Sequence, residues 1–123
     1  MAETRGGLVR AAEPYVTLDG SRITELVRPE RGVSRNVSVA EAVIGPGEST
    51  QRHTHGVSDE VYYVLDGEGV VTLAAKSHAV GPGSCVFIPA GGAHAARCEG
   101  PEALRILCIC APPYTHEQTI LCD

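Results

Sequence analysis

The chain is short of the residues that mark several large functional classes. Its 123 residues include one lysine, one phenylalanine and four tyrosines, with no tryptophan. Net charge is −5 and no basic stripe occurs. The sequence therefore lacks both a phosphate-neutralising patch and a stacking platform, and nucleic acid is not an expected partner. The single lysine, Lys76, sits beside an expected hairpin turn and not in the buried apolar stretch that activates a Schiff-base lysine. No apolar run approaches the roughly 20 residues of a membrane-spanning helix, and residues 1–10 lack a signal peptide's apolar centre. The expectation is a soluble, cytoplasmic protein with no membrane partner. Five cysteines, Cys85, Cys98, Cys108, Cys110 and Cys122, are odd in number and form no CxxC pair. They fit neither a disulfide framework nor a zinc finger and are read as reduced thiols, mostly packed as small hydrophobes.

Helical periodicity is lacking too. No window of helical length carries apolar residues at i, i+3, i+4 and i+7 without a glycine or proline interruption. Short β-type runs recur instead about every 8 to 12 residues. Turn signals separate them: Asp19-Gly20, Arg31-Gly32, Gly45-Pro46-Gly47, Asp66-Gly67, Gly81-Pro82-Gly83 and Pro89-Ala90-Gly91-Gly92. The expected strands cover residues 15–18, 22–27, 37–44, 51–55, 61–65, 69–74, 77–80, 85–88, 94–97 and 105–110. This spacing predicts an all-β sandwich or barrel in one domain, residues 14–123, after an arm at 1–13. Runs such as Val61-Tyr62-Tyr63-Val64-Leu65 are apolar on both faces, so part of the outer surface is expected to be covered, and a homodimer is the expected assembly.

The chemistry-bearing residues cluster in the middle of the chain. His53 and His55 are two apart in an expected strand, which projects both imidazoles from one face. Glu60 follows a four-residue linker that places it on the next strand, taken to be the adjacent antiparallel one, opposite the pair. His94 heads a later strand after the 89–92 turn. Three imidazoles and one carboxylate suit a single divalent transition metal (Zn, Fe, Mn or Ni), and an octahedral shell would keep two positions open for substrate, water or dioxygen.

These residues resemble the cupin superfamily. Its first motif, G-x5-H-x-H-x3,4-E-x6-G, is met by Gly47, His53, His55, Glu60 and Gly67. The second, G-x5-P-x-G-x2-H-x3-N, is met by Gly83, Pro89, Gly91 and His94, with Cys98 in place of the asparagine. The resemblance implies a double-stranded β-helix (jelly-roll) barrel with metal at its mouth. Its size is similar to that of the small single-domain bacterial cupins described as mannose-6-phosphate isomerase-like. Cupins include isomerases, decarboxylases, cyclases, dioxygenases and non-enzymatic binders, so the motif specifies fold and metal more than reaction.

Around this set, strand parity nominates further residues. Gln51 shares the parity of the two histidines and is expected to point inward, as a proton-moving group or a rim residue. Tyr62 and Val64 share the parity of Glu60 and are candidates for the pocket wall, Tyr62 also for catalysis. Phe87 is expected to line or fill the barrel, and Cys98 to point inward, as a buried thiol or as part of the substrate-pocket wall. Two prolines end the ladder after residue 111, and the segment 111–123 either folds over the mouth, bringing Tyr114 or His116 near the metal, or remains a surface tail. The leading expectation is an enzyme of isomerase, cyclase or decarboxylase type in which the metal acts as a Lewis acid on a small oxygenated substrate. An Fe-dependent dioxygenase and a non-catalytic metal or small-molecule binding module are the alternatives.

Overall fold

A computed structural model describes residues 6–29 and 34–122 of the chain. Residues 1–5 of the expected arm and the Arg31-Gly32 turn lie outside the described residues. The strands are β1 (Tyr15–Val16), β2 (Arg22–Val27), β3 (Ser38–Ile44), β4 (His53–His55), β5 (Asp59–Asp66), β6 (Gly69–Leu73), β7 (Lys76–Val80), β8 (Cys85–Ile88), β9 (His94–Cys98), β10 (Leu104–Ala111) and β11 (Thr119–Leu121). A 3₁₀ turn, His116–Gln118, leads into β11. No helix among the described residues is long and apolar enough to cross a membrane.

The strands form two sheets, one ordered β1-β2-β3-β10-β5-β8 and the other β11-β4-β9-β6-β7, with every strand pairing antiparallel. The sheets lie face to face as a jelly roll and do not join into one closed hydrogen-bonded cylinder. Both contribute to one core: Ile44, Val64, Ile88, Leu104 and Ile106 from the first pack against Val71, Val80, Ala96 and Cys98 from the second. Val64, Leu104 and Ile106 are at most 1% exposed. Each such side chain stabilises the fold by about 1.5–3 kcal/mol through burial.

Alternation along β5 explains where the core stops. Its inward residues are Glu60, Tyr62 and Val64, so the interior passes from polar to apolar within one strand. The four motif glycines, Gly47, Gly67, Gly83 and Gly91, all take positive φ, between +77° and +88°. Gly67 is confined for a second reason, because a Cβ there would lie 2.3 Å from the carbonyl oxygen of Ala103. A side chain at this turn would push β10 away from β5.

Two elements differ from expectation. The strand expected at 51–55 begins only at His53, and β11 was not anticipated. The end of the expected arm is tied down, since the Ala12 N–H donates to the carbonyl of Glu25 at 3.0 Å.

Candidate metal centre

The histidines converge as strand geometry requires. His53 and His55 are buried on the same side of β4, and His94 is the register partner of His53 on β9. One ring nitrogen from each of the three lies within 4.8 Å of the other two. Glu60 arrives by a different route from the one expected. β5 belongs to the opposite sheet and does not pair with β4, so the carboxylate reaches across the interior. Its Oε1 lies 3.4 Å from His55 Nε2 and 3.2 Å from His94 Nε2.

Hydrogen bonds fix which imidazole nitrogens face the centre. His53 Nδ1 is 2.8 Å from the carbonyl of Gln51, and His94 Nδ1 is 2.9 Å from that of Gly92. A carbonyl only accepts, so in both neutral rings Nδ1 carries the hydrogen and Nε2 presents a lone pair. His94 Nε2 and Glu60 Oε1 are therefore two acceptors face to face, both buried and neither with a hydrogen-bond partner. Such an arrangement is costly unless a cation lies between. Donors about 2.1 Å from a shared ion stand roughly 3.0–3.4 Å apart at octahedral or tetrahedral angles, which matches the separations around Glu60. The residues present fit a divalent transition-metal ion, which His53, His55, His94 and Glu60 would hold.

The electrostatics agree. Burial alone would raise the pKa of Glu60; a donor or positive charge on the His55 and His94 side lowers it, and with a lone pair on His94 Nε2 a bound cation is what would supply that charge. Burial and the neighbouring His94 push His53 below its ordinary value, towards the neutral ring that a ligand needs. The other oxygen of Glu60, Oε2, accepts from the Cys110 thiol at 3.4 Å, between residues paired across β5 and β10. Burial, with the Glu60 carboxylate beside it, pushes the Cys110 thiol well up and keeps it a donor. His55 Nδ1 lies 3.3 Å from Thr119 Oγ1 on β11.

A cavity of about 60 Å³ adjoins the centre. Tyr62 and Tyr114 line it, and the Tyr114 ring meets His55 edge-on at 5.2 Å between centroids. The C-terminal segment is thus part of the cavity wall, anchored by pairing of β11 with β4. Five other sequence-based assignments are corrected. Gln51 is exposed, because it precedes β4 and its parity does not carry past the strand's start; its backbone, not its side chain, serves the site. Phe87 is 57% exposed, since Val86 and Ile88 take the inward positions of β8. Val64 and Cys98 lie in the apolar core and not on the cavity wall, and the Cys98 thiol donates to the Glu102 carbonyl at 3.1 Å. His116 stands behind the wall, with its Nδ1 3.0 Å from the Tyr114 hydroxyl.

Sequence reasoning missed Asp19, Glu25, Cys110 and Thr119, all of which line the cavity from outside the motif segment, Gly47 to Cys98. Only Cys110 had a readable signal, its alternation along β10. Asp19 registered merely as half of a turn.

Comparison with known proteins accords with this geometry. The family model described as a cupin domain matches residues 40–110. An uncharacterized protein of Methanocaldococcus jannaschii is 41% identical over 109 residues, covering 87% of this chain and 86% of its own length. Dimethylsulfoniopropionate lyase DddW of Ruegeria pomeroyi is 32% identical over 80 residues, 65% of this chain and 51% of that one. Among solved structures, the Streptomyces protein Pac13, described as a nucleoside dehydratase, superimposes with a TM-score of 0.74 over 90% of this chain and 84% of its own, at 17% identity. That likeness is one of fold alone. The matched segment takes in all three strands that carry the histidines and Glu60, and the chain belongs to the cupin family.

Proposed function

We propose that the protein is a metal-dependent enzyme of lyase or isomerase type acting on a small oxygenated substrate. The observation that carries this reading is the pair of buried, unpartnered acceptors, His94 Nε2 and Glu60 Oε1, of which Glu60 lines a cavity. When bound, a divalent ion supplies a Lewis acid that polarises a carbonyl, hydroxyl or carboxylate oxygen. The chain's own groups do the rest. Burial pushes the phenols of Tyr62 and Tyr114 above their ordinary values, so both remain neutral donors towards a substrate oxygen. Tyr62 packs edge-on against His94 at 5.7 Å and Tyr114 against His55 at 5.2 Å, which makes both candidates for handing over a proton.

The cavity wall narrows the substrate class. It carries the carboxylates of Asp19 and Glu25, the latter paired with Arg28 at 2.8 Å, and among the described residues no lysine or arginine lines it. A phosphorylated sugar would find no cationic side chain on this wall to pair with, which argues for a substrate without a phosphate group. The lyase name of DddW supports elimination as the first chemistry to test.

The test is elemental analysis of the protein as isolated beside His53→Ala, followed by turnover assays of the metal-loaded protein on hydroxy and keto substrates with and without dioxygen. Metal in the wild type alone, with oxygen-independent turnover, is the expected result. Activity appearing only with Fe(II) and dioxygen would replace this reading with a dioxygenase. Tight metal without turnover would make the protein a binding module.

A further inference from the structure

We propose that Asp19 is a fifth protein ligand of the metal centre. The inference rests on the metal reading above but not on any particular reaction. Asp19 lies in the β1–β2 turn, outside the segment that matches the family and outside both motifs.

Three contacts hold it in place. Its carbonyl accepts the N–H of Gln51 at 2.7 Å, and the carbonyl of Gln51 in turn orients His53. Its Oδ1 accepts from Ser21 twice, from the backbone N–H at 2.9 Å and from the hydroxyl at 2.6 Å. The remaining oxygen, Oδ2, lies 3.5 Å from His53 Nε2. The single ring hydrogen of neutral His53 is committed to Gln51, so Nε2 presents a lone pair to a carboxylate oxygen. A lone pair thus faces a carboxylate oxygen here too, on a side chain 11% exposed, and a cation between the two would relieve both. The separation is a few tenths of an ångström longer than the roughly 3.0 Å expected between neighbouring donors of an octahedral shell, and a bound ion would draw the two together.

The consequences are chemical. Two carboxylates balance one divalent ion, leaving a neutral centre among three neutral imidazoles, which suits a buried site. Five protein donors leave one position of an octahedral shell. That is enough for a single substrate oxygen but not for substrate and dioxygen together, which favours Lewis-acid chemistry over oxygenation.

The test compares the wild type and Asp19→Asn, each prepared without metal, then titrated with Zn(II) by calorimetry and with Co(II) by visible absorption. Asparagine keeps an acceptor for Ser21 and loses only the charge. The expected result is a Zn(II) affinity at least tenfold weaker in Asp19→Asn and a more intense Co(II) spectrum as the coordination number falls. Metal-free Asp19→Asn should melt no lower than the metal-free wild type, because its amide can donate to His53 Nε2. Affinities within twofold and superimposable Co(II) spectra for Asp19→Asn and the wild type would overturn the inference. So would a lower melting point of metal-free Asp19→Asn with its metal response intact, which is the signature of a turn anchor. Failure of the wild type itself to bind metal would instead overturn the reading of the whole centre.

Discussion

His53 and His94 form the one register pair that joins β4 to β9, and their ring centroids stand 4.3 Å apart. Two neutral imidazoles held this close, each oriented by a backbone carbonyl, are pre-organised for one ion, so metal should stabilise the folded state alone. At a metal concentration of 100 Kd the gain is about 2.7 kcal/mol, or on the order of 10 °C in Tm for a domain of this size. A thermal melt of the metal-free wild type with and without Zn(II) should show that rise. His53→Ala and His94→Ala should show little of it, and an equal rise in either variant would remove that residue from the ligand set.

The C-terminal segment is clipped to the loop between β4 and β5 by Gln118. Its Oε1 accepts from the N–H groups of Val57 and Ser58 at 3.0 and 2.9 Å, and its Nε2 donates to Ser58 Oγ at 2.8 Å. Ser58 Oγ donates onward to the Pro112 carbonyl at 2.6 Å. Ser58 is 1% exposed, so Gln118→Ala would strand its N–H without solvent. The expected cost is about 1–3 kcal/mol, read as a lower urea midpoint at unchanged slope. A loss under about 0.5 kcal/mol would mean that water replaces the clip.

What the sequence disclosed follows from the range of each signal. His53 and His55 were legible because parity is local and the pair falls within one strand. The glycine turns were legible because Gly47, Gly67, Gly83 and Gly91 adopt a backbone conformation that other residues avoid. Glu60 was placed at the centre for a reason that proved incomplete: a four-residue linker is short enough to bring it near, but the spacing does not reveal that the chain crosses to the other sheet. Phe87 failed on the choice of inward parity, which the β8 run, apolar at every position, does not announce. Gln51 failed because alternation was extended two residues beyond the strand. Asp19 and β11 depend on contacts between distant parts of the chain, for which one sequence carries no period.

Alkaline pH should weaken the fold through its buried weak acids. Burial pushes the Cys110 thiol above its ordinary 9.0 and the Tyr62 phenol above its ordinary 10.0. For a group whose folded pKa is raised, the stabilisation is full below the unfolded value and is lost as pH climbs, because the unfolded chain releases the proton first. Unfolding free energy of the metal-free protein should therefore fall between about pH 8.5 and 10.5, with each fully titrating group adding up to about 1.4 kcal/mol per pH unit to the slope. Cys110→Ala should show a shallower decline over the lower half of that window. A flat profile in the wild type would contradict the burial of these groups.

The outer face of the six-stranded sheet bears on assembly. Phe87, Tyr63 and Leu65 are 57%, 42% and 36% exposed, and strand register makes them neighbours of one another and of Leu107 and Ile109. Val61 pairs with Phe87 and with Ile109, and Tyr63 pairs with Cys85 and with Leu107, so the apolar side chains form one continuous surface over three strands. A surface of this kind is best covered by its own copy about a two-fold axis, where each apolar side chain meets a like partner. The proposed homodimer should appear in sedimentation velocity of the wild type at tens of micromolar, a range in which isologous interfaces of standard size are filled. The double substitution Tyr63→Asp with Phe87→Glu should give a monomer. Its metal content should be unchanged, since both side chains point away from the centre. A monomeric wild type, or a double variant that still dimerises, would assign this face some other role.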